Sequence, residues 1–122
     1  MITIHYCLHR KPGMNREDFA AYWRGPHAEL VKSLADTLRI VRYVQNHGAL
    51  AEVAAQMQAM RNTAEPFDGV AAITFDTPED LVRGNTDPAA AQAQARLAQD
   101  EAQFIDIARS SIVFTTPLTV IG

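Results

Sequence analysis

The sequence alternates between strand-like and helix-like segments, and this alternation limits the fold more than any other feature. Residues 2–9 alternate apolar and polar side chains, which is the period of two that is typical of a strand. Residues 39–47 are rich in β-branched and aromatic side chains and predict a second strand. Residues 69–76 and about 111–121 predict a third and a fourth.

The first helical region contains a glycine and a proline that should divide it. A helix is predicted to begin at Arg16, because Asn15 and the acid three residues later stand at capping-box-like spacing. Gly25-Pro26 is expected to end it, since a proline inside a helix removes a hydrogen bond and clashes with the preceding turn. A second helix is then predicted to start at Pro26, with His27 in its first turn.

Three more helical segments complete the pattern. Apolar residues recur at helical spacing over 50–60 and predict an inserted helix. Thr77 and Pro78 supply an N-cap and a first-turn proline for a further helix. The Ala- and Gln-rich run from Ala89 to about Phe104 has strong helix propensity and keeps a packing face that includes Leu97.

Taken in chain order, these elements predict an α+β protein with a ferredoxin-like fold. In that arrangement a four-stranded antiparallel sheet is covered by helices on one face. We expect residues 1–122 to form a single domain of this kind. The other face of the sheet would stay bare, and if it is largely apolar its burial would favour a homodimer with two-fold symmetry.

Composition excludes several classes of partner. The net charge is −3 and no cluster of Lys or Arg is present, so we expect no binding to nucleic acid. No apolar run approaches the roughly 20 residues needed to span a bilayer, and the N-terminal stretch does not resemble a signal peptide. The single cysteine, Cys7, suits a reducing compartment. We therefore expect a cytoplasmic protein with no membrane partner.

His27 is the first candidate for chemistry. In the first turn of a helix it would lie beside free backbone N–H groups, whose partial positive charge disfavours an imidazolium. A neutral imidazole near pH 7 can shuttle a proton or polarise a carbonyl. The alternative is a histidine that only caps or packs at the helix break.

Three polar side chains on the second strand form another candidate group. Tyr43, Gln45 and His47 share one face, because alternate residues of a strand point the same way. If this face looks toward the helices, the three would line a cavity with His27 and Trp23. If it looks outward, they are interface or solvent groups, and the pattern leaves both possibilities open.

A metal site on the first strand is not expected. His5, Cys7 and His9 share a face, but the outer pair would lie about 13 Å apart at the backbone. That distance is too long for one ion with ligand distances near 2 Å. The sequence also lacks the common metal, nucleotide and serine-hydrolase motifs, so we predict no metal and no cofactor.

Several segments resemble the EthD-like family. They are residues 11–19, 22–27, 42–47 and 67–71, and 100–106 with Arg109. The resemblance implies a dimeric α+β barrel, in which two ferredoxin-like subunits pack their sheets together. The family name derives from an ether-degradation gene cluster, and similar proteins include cofactor-independent lactone isomerases, polyketide cyclases and dehydratases. His27 matches the histidine after the Tyr-Trp segment, and Tyr43 matches a strand tyrosine that lines pockets in similar isomerases.

The leading functional hypothesis is a cofactor-free enzyme that isomerises, cyclises or dehydrates a small cyclic or aromatic carbonyl compound by proton transfer. His27 would be the acid or base and Tyr43 would bind the enolate oxygen, with His47 as a third catalytic candidate. The predicted substrate-binding residues are Trp23, Gln45, Ile73 and Phe75. One alternative is an oxidative enzyme with His27 or His47 as an axial haem ligand. Another is a non-catalytic protein that binds a small molecule.

Overall fold

One four-stranded antiparallel sheet forms the base of the fold. The computed structural model describes all 122 residues, and its strands are β1 (Ile2–Leu8), β2 (Arg42–His47), β3 (Gly69–Phe75) and β4 (Ser111–Thr115). Their order in the sheet is β2-β3-β1-β4, and each strand is antiparallel to its neighbours. This order, with helices between the strands, confirms the predicted ferredoxin-like fold.

Five α-helices connect the strands. They are α1 (Arg16–Tyr22), α2 (Ala28–Leu38), α3 (Ala51–Arg61), α4 (Pro78–Leu81) and α5 (Pro88–Glu101). The Asn15 side chain caps α1 as predicted, because it accepts a hydrogen bond from the Asp18 N–H at 2.8 Å. The Asp87 side chain caps α5 in the same way, accepting from the Ala89 N–H. α2 and α5 pack against each other.

The predicted helix break at Gly25-Pro26 is wrong. Trp23–His27 form a π-helical turn that joins α1 directly to α2. Within it the Ala28 N–H donates to the Trp23 carbonyl, five residues back. This wider turn lets the helix continue although Pro26 has no N–H to donate. His27 therefore does not lie at a free helix start, and the predicted field of unpaired N–H groups is absent.

Two strand boundaries also differ from the prediction. β2 begins at Arg42 rather than at 39, because Arg39 adopts a left-handed conformation (φ 57°) that ends α2. β4 ends at Thr115 rather than near 121, and Pro117 has no N–H with which to continue a ladder. The inserted helix α3 is confirmed, although none of its residues is buried.

The main core lies between the sheet and the helices. Alternate sheet residues point into it, and the registers place Tyr43 beside Ile73 and Ile73 beside Ile4. Its most deeply buried members are Leu8, Phe19, Trp23, Ala71, Phe104 and Ile105. Tyr43 packs against this cluster, so the β2 face that it shares with Gln45 looks toward the helices. No helix has both the length and the apolar character needed to cross a bilayer.

Candidate active site

A cavity of about 130 Å³ lies between the sheet and the helices α2 and α5. Its walls are mainly apolar, and they include Ile73 and Phe75 from β3 and Trp23 from the π turn. Four side chains that can exchange or donate a proton also reach it, namely Tyr6, His27, Tyr43 and Glu101. A mostly apolar cavity with a few convergent polar groups is the usual form of a small-molecule site.

His27 is buried and held by a carboxylate. The residue is 5% exposed, and its Nδ1 atom lies 2.8 Å from Oδ2 of Asp100. The Tyr22 hydroxyl donates to the other oxygen of Asp100 at 2.7 Å. Because a carboxylate accepts, the imidazole donates from Nδ1, and in the neutral ring Nε2 keeps the lone pair. The arrangement orients the ring and stabilises positive charge that develops on it.

Glu101 is a site residue that the sequence analysis missed. It follows Asp100 at the end of α5, and burial raises its pKa to about 7, with a further contribution from the Asp100 charge and an opposing one from the contact with Tyr6. A carboxyl group of this kind exists in both protonation states near neutral pH. Glu101 lies four residues after Leu97, on the packing face already recognised for this helix, and that spacing was the available signal.

The two tyrosines near the cavity remain protonated at neutral pH. Burial raises the pKa of Tyr43, against a smaller lowering effect of its hydrogen bond with Gln45. Burial and the charge of Glu101 raise the pKa of Tyr6 to about 12. Each phenol is therefore a neutral hydroxyl group near neutral pH.

Gln45 and His47 stand behind the cavity wall rather than in it. The Gln45 Nε2 donates to the Trp23 carbonyl at 2.8 Å and to the Tyr43 hydroxyl at 3.0 Å. The His47 ring packs on Trp23 with centroids 4.3 Å apart, and its Nε2 lies 2.9 Å from Gln45 Oε1. Partial burial and the charge of Arg24 lower the pKa of His47.

His47 borders a different and larger groove. This groove, of about 340 Å³, lies beside α3 and includes Phe19, Phe67 and the paired Arg10 and Asp68 among its walls. The structure thus brings Trp23, His27, Tyr43, Ile73 and Phe75 together at one cavity, and it places Gln45 and His47 one layer further out.

The chain is a ferredoxin-like domain with a small, mostly apolar cavity, and the comparisons with known proteins identify its family. The EthD domain family model matches residues 11–108. The chain therefore belongs to the EthD family. The conidial pigment biosynthesis dehydratase EthD of Metarhizium robertsii is 28% identical over 115 residues, which cover 92% of this chain and 79% of that protein.

Two solved structures are similar in fold. An EthD family protein from Bacillus halodurans has a TM-score of 0.62 at 11% identity, with 97% of this chain and 100% of the other covered. A dimeric protein of ferredoxin-like fold and unknown function from Bacteroides fragilis has a TM-score of 0.58 at 11% identity, with 93% of both chains covered. At this identity the likeness concerns the fold alone.

Proposed function

We propose that the protein is a cofactor-free enzyme that removes water from a small, ring-shaped β-hydroxy carbonyl compound. The observation that carries the proposal is the meeting of His27, Tyr43 and Glu101 at one apolar cavity. Isomerisation and cyclisation use the same proton transfers at the carbon beside a carbonyl. Dehydration is favoured among the three because the relative from Metarhizium robertsii is named a dehydratase.

His27 is the general base in this proposal. Its Nδ1 proton is held by Asp100, so Nε2 accepts the proton from the carbon next to the carbonyl. The positive charge that this creates on the ring is stabilised by the Asp100 carboxylate, which the Tyr22 hydroxyl holds in place.

Glu101 and Tyr43 complete the reaction. As the new carbon–carbon double bond forms, the bond to the β-hydroxyl breaks, and protonated Glu101 gives its proton to the departing oxygen to release water. The Tyr43 hydroxyl donates a hydrogen bond to the carbonyl oxygen, where negative charge develops. Transfer of the proton from His27 to Glu101 then restores the starting state of the enzyme.

The size of the cavity limits the substrate. A volume of about 130 Å³ is close to the roughly 150 Å³ of an engineered protein cavity that binds benzene. It therefore supports a single ring, or one ring of a larger compound. A porphyrin is much larger than this, so the cavity gives no support to the haem alternative.

The reaction is tested with β-hydroxycyclohexanone, whose dehydration gives cyclohexenone with a strong ultraviolet absorbance. We expect the protein to accelerate this conversion and His27→Ala to lose about 10²–10⁴-fold of the acceleration. Circular dichroism establishes that the variant is folded. Saturable binding of the ketone without any conversion would support a non-catalytic binding protein instead.

We also propose that two copies pair through the sheet face that the helices leave free. This face carries Val44, Val70, Ala72 and Val113, and their burial would favour association. The structural neighbour from Bacteroides fragilis is described as dimeric. Light scattering at micromolar concentration should give twice the 13.4 kDa of one chain, and a mass of 13.4 kDa would refute the pairing.

A further inference from the structure

The side chain of Gln45 is fully engaged behind the cavity. Its Nε2 donates to the Trp23 carbonyl at 2.8 Å and to the Tyr43 hydroxyl at 3.0 Å, while its Oε1 faces His47 Nε2 at 2.9 Å. A primary amide has two N–H donors and one carbonyl acceptor. All three groups have partners inside the protein, so Gln45 has no free N–H for a substrate.

The directions of these hydrogen bonds are fixed by one group. A backbone carbonyl only accepts, so the amide nitrogen of Gln45 must face Trp23, and its oxygen must face His47. His47 then has to donate from Nε2. That requirement is met by the Nε2-protonated neutral ring and also by the imidazolium.

The same reasoning fixes the role of the Tyr43 oxygen. It accepts a hydrogen bond from the Gln45 amide, and the hydroxyl's own proton has no acceptor among the side chains or carbonyls of the chain. Tyr43 also lines the cavity. The free proton is therefore available to a group inside the cavity.

The carbonyl that anchors this chain of bonds belongs to the π turn. Trp23 accepts both from the Ala28 N–H and from the Gln45 amide, which uses the two lone pairs of its oxygen. Pro26 lies inside that turn. The turn that contains the proline therefore supplies the carbonyl that orients the Gln45 amide.

We propose that Gln45 and His47 are positioning residues that hold the Tyr43 hydroxyl as a donor toward the substrate's carbonyl oxygen. This inference rests on the proposed function, because it assigns Tyr43 its donor task there. It gives His47 and Gln45 a role without direct contact with the substrate.

The first test needs no substrate. Nitrogen-15 NMR of the imidazole of His47 in the wild-type protein should show a protonated Nε2 and, at high pH, an unprotonated Nδ1. A neutral ring with its proton on Nδ1 would overturn the proposal, because Gln45 Oε1 would then have no donor.

The second test titrates Tyr43 by carbon-13 NMR of its ring. Gln45→Met removes a donor to the phenol oxygen and should raise the pKa of Tyr43. Gln45→Glu should raise it further, because a carboxylate accepts the hydroxyl proton and adds negative charge. Gln56→Glu on the exposed side of α3 makes the same charge change and should leave Tyr43 unaffected. An unchanged pKa of Tyr43 in Gln45→Met would overturn the proposal even if Gln45→Glu does not fold.

These measurements separate the inference from the proposed function. If the NMR results are as expected but the protein does not dehydrate β-hydroxycyclohexanone, the donor arrangement of Tyr43 is supported and the proposed reaction is contradicted. Where the reaction occurs, Gln45→Glu should lower kcat by about as much as Tyr43→Phe, and the double variant should lose no more than either. Additive losses would contradict a role of Gln45 through Tyr43.

Discussion

The Nδ1 atom of His27 lies 2.8 Å from the Oδ2 atom of Asp100, which is 73 residues further along the chain. The contact joins the π turn at the end of α1 to the last turn of α5. It decides which nitrogen of His27 donates to the carboxylate and which one keeps a lone pair when the ring is neutral.

Asp100→Asn should lower the proposed activity while the fold is retained. An asparagine can present its N–H₂ to His27, which would favour the tautomer with the lone pair on Nδ1, and it does not stabilise the imidazolium. We expect a loss in kcat of about 10²–10⁴-fold, measured with β-hydroxycyclohexanone. Asp36→Asn on the exposed side of α2 makes the same change at a distance from the site and serves as the control. Equal activity of both variants would show that Asp100 does not orient His27.

Glu101→Gln should change how stability depends on pH. Because burial raises the pKa of Glu101 to about 7 from the model-compound value of 4.5, the folded state binds this proton more tightly than the unfolded state does. The stabilisation is complete below about pH 4.5 and is lost as the pH rises through about 7. The free energy of unfolding is measured in urea for the wild type and for Glu101→Gln. The wild-type value minus the variant value should fall over this pH range by about 1–3 kcal/mol.

The control for this comparison is Glu52→Gln, on an exposed face of α3. Its difference from the wild type should be nearly constant over the same pH range. If Glu101→Gln behaves like Glu52→Gln, the pKa of the Glu101 carboxyl group is not raised. Glu101 would then not be the proton donor at neutral pH.

Gly69→Ala should disturb the cavity from outside it. A Cβ atom at this position would lie 2.5 Å from the Trp23 ring and 2.9 Å from the Asn46 carbonyl oxygen, so Trp23 would have to move. Overpacking of this kind costs about 1–3 kcal/mol, and the cavity wall that Trp23 forms would shift with it. Urea denaturation measures the loss. Gly25→Ala serves as a control, because a Cβ atom there meets nothing within 4 Å.

Local signals were sufficient to predict most of the fold. The alternation in residues 2–9 predicts β1, and the side chain of Asn15 determines where α1 begins. The predicted helix break at Gly25-Pro26 was wrong because the π turn accommodates a proline without ending the helix. The end of β4 was overestimated because β-branched and apolar residues continue beyond Thr115, the last residue that has a partner on β1.

The site depended more strongly on contacts between distant residues. Sequence position was enough to propose five of the residues that meet at the cavity, namely Trp23, His27, Tyr43, Ile73 and Phe75. Glu101 could not be assigned, since its raised pKa arises from burial and from the neighbouring Asp100 charge, and its burial is not visible before the helix is packed. The same holds for the separation of His47 from the cavity, because Trp23 lies between them.

The central claim is that His27 removes a proton from carbon beside a carbonyl group, and hydrogen–deuterium exchange measures this step alone. Cyclohexanone carries the carbonyl but has no hydroxyl to lose, so mass spectrometry in D₂O reports proton transfer without dehydration. We predict that the protein accelerates exchange beside the carbonyl and that His27→Ala reduces the acceleration by about 10²–10⁴-fold. Equal exchange rates for the wild type, His27→Ala and buffer would contradict the account.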